Sequence, residues 1–167
     1  MRKTLCFFLT ALLILATLSS AASAVSAKLK TTLQFLDLME SEHIIYTNKG
    51  LDDDKDERVE VSFSLEQFDS ATCVLYFRND NHSVSLRIWN LITPSAAKDE
   101  VLSALNSLNF DIKYAKFVLD ESDNTVQIEM DLFIDEDHCA QCVYDAMMTL
   151  LDIIEDEAIA QKLHALE

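Results

Sequence analysis

The sequence predicts an α+β domain in which helices flank an antiparallel sheet, in the order α-β-β-β-α-β-β-α. Three observations carry that prediction. Apolar residues recur at helical spacing near both ends of the region after residue 27. Between them, hydrophobicity alternates with a period of two in several short runs. One helical stretch separates two groups of strands, so hairpins rather than parallel crossovers join neighbouring strands.

The first helix is expected from Lys28 to about Ser41, with Leu29, Leu33, Leu36 and Met39 as its stripe and Phe35 and Leu38 widening it. His43 to Tyr46 reads as a short extended piece, and Asn48-Lys49-Gly50 as a turn. Leu51 to Glu57 is an acidic run. Asp52, Asp54 and Asp56 alternate as in a calcium loop, but Glu57 stands where such a loop turns on Gly and Phe63 where it needs a bidentate Glu. A solvated loop is the better reading.

Val59, Val61 and Phe63 then alternate with Glu60 and Ser62 in a first strand. Thr72 to Arg78 is a second strand, rich in β-branched and aromatic residues. Asn79-Asp80-Asn81 is a hairpin turn. Val84, Leu86 and Ile88 form one face of a third strand, and Ser85, Arg87 and Trp89 the other. Arg87 and Trp89 are thereby a candidate binding surface. Thr93-Pro94-Ser95 ends the strand, with Thr93 or Ser95 expected to cap a helix that carries Val101, Leu102, Leu105 and Leu108. Tyr114 to Asp120 is a fourth strand, Ser122-Asp123-Asn124 a turn, and Thr125 to Ile134 the most regular alternation in the chain. Cys139 to about Leu166 reads as one long final helix, with Val143, Met147, Leu150, Leu151 and Ile154 along one side.

Ahead of this domain stands a secretory leader. Arg2 and Lys3 precede an uncharged run from Leu5 to Leu18, and small residues follow. Ala22-Ser23-Ala24 and Val25-Ser26-Ala27 both fit signal peptidase, so residues 1–27 are expected to be a signal peptide cut after Ala24 or Ala27. The apolar run, about 14 residues, is short of the ~20 that span a bilayer. No membrane insertion is expected after cleavage. The compact leader looks bacterial and directs the product to the periplasm or outside the cell. Residues 28–167 then form a single domain.

The full chain has 13 basic and 29 acidic residues, and losing Arg2 and Lys3 takes the charge from −16 to −18. So acidic a surface repels nucleic acid and anionic lipid, and foremost serves solubility. With one Gly in 167 residues, a glycine-rich phosphate loop is excluded.

Three cysteines remain after cleavage: Cys73, Cys139 and Cys142. The compartment permits disulfides, and a structural bridge is the leading reading. Cys73 joined to either partner closes a long loop, worth ~4 kcal/mol in the chain-entropy model. Cys139-Ala140-Gln141-Cys142 opens a helix, where N–H groups stabilise a thiolate, so a redox-active pair is the alternative. Asp135, Glu136 and Asp137 oppose that thiolate. A metal site using His138 lacks a visible fourth ligand. No metal, no cofactor and no catalytic residue is expected.

The stretch YAKFVLDESDNTVQIEMDLFID, followed by a helix containing VYDAMMTLLDIIEDE, resembles the YbjN family. Strand, Asp-rich turn, alternating strand and long amphipathic helix follow in that family's order. The specific part spans Tyr114–Glu157, with looser agreement over Lys30 to Ala165. Asn124 stands where the family usually has Gly, a substitution that the left-handed conformation tolerates. The resemblance implies the fold of the type III secretion chaperones and a non-enzymatic, protein-binding role, often as a homodimer. The leader departs from the best-known relatives, which are cytoplasmic. The runner-up function is a periplasmic thiol-disulfide oxidoreductase.

Overall fold

The computed structural model describes residues 26–135 and 137–167; the predicted leader up to residue 25 lies outside them. The fold is α+β. Helices α1 (Lys30–Ser41), α2 (Lys98–Asp111), α3 (Cys139–Glu155) and α4 (Glu157–His164) accompany six strands. These are β1 (Tyr46–Leu51), β2 (Glu57–Ser64), β3 (Ser70–Phe77), β4 (Ser83–Ile92), β5 (Lys116–Asp120) and β6 (Thr125–Phe133). They form one antiparallel sheet in the order β1-β2-β3-β4-β6-β5.

The period-two alternation gives the sheet a helix-covered face and an outer face, on which Val74, Ser85, Thr125 and Gln127 are nonetheless buried. Val59 and Val61 of β2, Cys73, Leu75 and Phe77 of β3, Val84, Leu86 and Ile88 of β4, and Val126 and Ile128 of β6 are buried. Residues from all four helices join them in one cluster. On α3 the buried stripe includes the predicted Val143, Met147, Leu150, Leu151 and Ile154. On α1 the helix is rotated from the expected stripe: Thr31, Thr32, Phe35, Leu36 and Met39 are buried, while Leu33 is 45% exposed. Phe35 and Met39 hold more apolar surface than Leu29 and Leu33, and the larger burial sets the rotation.

The element order gains one strand and one helix break. Asn48-Lys49-Gly50, expected to turn the chain, is a bulge inside β1: Asn48 opposes Val59 and Gly50 opposes Arg58. Gly50 takes φ 79°, and the Asn48 side chain accepts its N–H at 2.8 Å. A bulge and a turn need the same residue types. The final helix stops at Glu155 because Asp156 leaves helical geometry, and its carboxylate caps α4 through Ala158 N–H (3.0 Å) and Ile159 N–H (3.1 Å).

Neither Thr93 nor Ser95 caps α2, which begins after Ala97 without a side-chain cap. The N–H groups of Ser95 and Ala96 instead donate to the Leu166 carbonyl at 2.9 and 3.1 Å, fastening the β4–α2 link to the end of the chain. The turn at Asn124 forms with φ 59°, as the residue type permits.

The loop between β2 and β3 is held by the C-terminal helices. The Glu155 carboxylate accepts Glu66 N–H (2.8 Å) and Gln67 N–H (3.0 Å). His164 places Nε2 3.0 Å from the Gln67 carbonyl and Nδ1 2.7 Å from the Glu167 carboxylate, with its ring against Phe68. The Glu167 bond, then the Gln67 bond, raise the imidazole pKa. A raised folded-state pKa stabilises the protein below the unfolded value of ~6.5 and ceases to do so as pH climbs through the folded value. The gap in urea midpoint between the wild type and His164→Ala is therefore expected to narrow as pH rises from mildly acidic to alkaline. The change is small, because the side chain is 42% exposed. A gap that widens with pH would contradict this.

Candidate functional site

The acidic run resolves into two structural devices rather than a solvated loop throughout. Asp52 Oδ1 accepts the N–H groups of Asp54 and Asp56 at 2.9 and 3.0 Å, which closes the turn. Asp56 is buried; its carboxylate pairs with Arg78 at 2.6 Å and accepts Asn79 N–H at 2.9 Å. Glu57, the first residue of β2, is fully buried. Its two oxygens accept the N–H groups of Lys28 (2.6 Å) and Leu29 (2.9 Å) just ahead of α1. Charge-run reasoning misses Glu57. The available signal was the period-two phase, which aligns residue 57 with Val59 and Val61.

The three cysteines among the described residues, Cys73, Cys139 and Cys142, are free thiols. Cys73 is buried at the middle of β3, and burial pushes its pKa up to about 12. Cys139 is also buried, and its Sγ lies 3.8 Å from the Thr31 carbonyl on α1. Burial first, then the neighbouring Cys142, push its thiol up to about 11. Cys142 is exposed. The opening of α3 therefore does not hold an acidic thiol at Cys139, because burial disfavours the thiolate. Alkylation of the native protein is expected to modify Cys142 rapidly, and Cys73 and Cys139 only at the rate of unfolding. Equal rates for Cys139 and Cys142 would contradict the buried placement.

Arg87 and Trp89 lie on the outward face of β4, as expected. Arg87 is opposite Val74 on β3 and Glu129 on β6. Its guanidinium is engaged within its own sheet, with Glu129 at 3.1 Å, Asp131 at 3.0 Å and the carbonyls of Leu86 and Met130 at 2.8 and 3.3 Å. Burial raises the Asp131 pKa, but bonds from Ser85 and Arg87 outweigh it and the net shift is downward. Arg87 thus serves the sheet as a cross-strand tie. Trp89 remains 40% exposed.

The edges of the sheet are guarded. Along β5, the Asn109 side chain of α2 donates to the Phe117 carbonyl (2.9 Å) and accepts Phe117 N–H (2.8 Å), filling the place of a next strand. The bulge interrupts β1, and Lys49 pairs across to Glu60 at 3.1 Å. Bulges and edge lysines both discourage strand addition.

A different surface stands out by exposure. Phe110 at the end of α2 is 90% exposed, Tyr114 before β5 is 85% exposed and Phe133 at the end of β6 is 94% exposed. Lys116 opposes Glu129, so residues 110–116 and the last residues of β6 share one end of the β5–β6 pair. Tyr114 adopts φ 69°, a strained conformation for a bulky side chain. Lys113 and Lys116, on the segment that leads from α2 into β5, are also exposed. Sequence reasoning read Phe133 and Tyr114 only as strand residues; periodicity does not report on residues at a strand's ends.

The chain matches no protein-family model, no curated protein and no solved structure. No helix among the described residues is long and apolar enough to cross a membrane.

Proposed function

We propose that this chain is an exported, non-enzymatic protein-binding module of the YbjN type, acting in the bacterial periplasm or outside the cell and pairing with a second copy of itself. The observation that carries the reading is the exposure of Phe110, Tyr114 and Phe133, each at least 85% exposed, toward the corner of the sheet where β5 begins and β6 ends. Aromatic rings left in water at one corner mark a docking surface, since they supply large contact area with little entropy lost on ordering.

The charge argues for the second copy. The whole chain carries −16, yet the segment 110–116 carries Lys113 and Lys116 against a single acid, Asp111. Another copy of this acidic chain offers exposed carboxylates such as Asp111 to those lysines. A two-fold axis through the corner satisfies both sets at once. The YbjN-like pattern, whose relatives often form dimers, agrees with this. The thiol-exchange alternative gains nothing from a buried, weakly acidic Cys139.

Sedimentation velocity of Lys113→Glu/Lys116→Glu tests the charge argument. The double variant is expected to sediment as a monomer at concentrations where the wild type is a dimer. A wild-type dimer unaffected by the reversal would place the interface elsewhere.

A further inference from the structure

Glu57 is the most conspicuous group that the proposed function leaves unused. It is fully buried at the start of β2, and its Oε1 lies 2.6 Å from the Lys28 backbone nitrogen. Oε2 accepts Leu29 N–H at 2.9 Å. A buried carboxylate is costly unless a cation or several donors compensate it. A peptide N–H provides one proton and a partial charge. The nitrogen that Glu57 holds most closely adjoins Ala27, one of the two leader exits that the sequence offers.

We propose that Glu57 is the receptor for the α-ammonium group of Lys28, created when the leader is cut after Ala27. Hydrolysis adds water across the Ala27–Lys28 amide. The hydroxyl goes to the Ala27 carbonyl carbon, which leaves as the carboxylate end of the leader. The hydrogen goes to the Lys28 nitrogen. That amine has an ordinary pKa of ~7.7–8.0 and takes a further proton at neutral pH. The single N–H···O contact becomes a charge-assisted bond between an ammonium and a carboxylate. It fastens the start of α1 to β2, and it forms only on the processed chain.

The competing cut after Ala24 leaves the Lys28 nitrogen as an amide and keeps the partly buried Ala27 methyl against the core. With that cut Glu57 keeps two peptide N–H donors, whereas the cut after Ala27 gives it a full charge and a charge-assisted bond in place of one methyl contact. The inference rests on the export part of the proposed function and not on self-association.

The test uses the full chain exported from a bacterial host. Intact mass is expected to show a protein beginning at Lys28. A product beginning at Val25 overturns the proposal while leaving the leader reading in place; an unprocessed product overturns both. On the Lys28 product, acylation of the α-amine near neutral pH is expected to be at least about tenfold slower in the folded protein than in urea, because one unit of raised pKa lowers the free amine tenfold. Glu57→Gln is expected to recover the fast rate while folded. Equal rates in folded and urea-unfolded wild type overturn the proposal, even if Glu57→Gln fails to fold.

Discussion

Phe35→Ala is expected to destabilise the domain by about 3–5 kcal/mol, the range for truncating a buried aromatic. Phe35 is fully buried on α1, with its ring centroid 5.3 Å from that of Phe77 on β3. Removing the ring deletes apolar contact and opens a cavity between the helix and the sheet. Close-packed neighbours collapse into such a cavity only in part. Small domains are stable by roughly 5–15 kcal/mol, so this one change takes a large share. Leu33→Ala, on the same helix but 45% exposed, is the control and is expected to cost under about 1 kcal/mol. Urea denaturation of both variants decides the matter. Equal losses would mean that α1 is rotated differently from the structure described above.

The second large effect concerns association rather than folding. Replacing Phe110, Tyr114 and Phe133 together with Ala is expected to weaken the dimer at least ~100-fold, since buried aromatic anchors each contribute on the order of 2 kcal/mol at an interface. The same triple variant is expected to keep the wild-type urea midpoint for the monomer within error, because the three side chains are 85–94% exposed and lose little on truncation. The two phenylalanines at 35 and 110 thus have opposite expected phenotypes. Phe35 is expected to matter to the fold and Phe110 to the proposed contact. A triple variant that lost stability while remaining dimeric would reverse both assignments.

Much of this fold is legible in the sequence, for reasons specific to its elements. The alternation Val126, Ile128, Met130 in β6 admits one face only, and the stripe from Val143 to Ile154 on α3 admits one helix rotation. On α1 the expected Phe35, Leu36 and Met39 are buried, and Leu33 departs because it matches helical spacing as well as the buried Thr32 does. Periodicity alone does not weigh the size of what is buried. The bulge at Gly50 escaped notice because Asn and Gly serve bulges and turns alike. Glu57 and Asp56 were hidden within a charge run, where composition suggests solvent. Their burial depends on partners 29 and 22 residues away in sequence.

The candidate site was less legible still. Arg87 was correctly placed on the outward face, but its ties to Glu129 and Asp131 require the β4–β6 register, which sequence does not reveal. Phe110 and Phe133 lie at the ends of α2 and β6 and Tyr114 just ahead of β5, where the phase of a periodic pattern carries no information about exposure.

The central claim is self-association through the Phe110, Tyr114 and Phe133 corner. Light scattering during size exclusion, run on the processed wild type and the triple alanine variant across micromolar concentrations, tests it most directly. The account predicts twice the chain mass for the wild type and a single chain mass for the variant. A wild type that stays monomeric throughout, or a variant that stays dimeric, would contradict it.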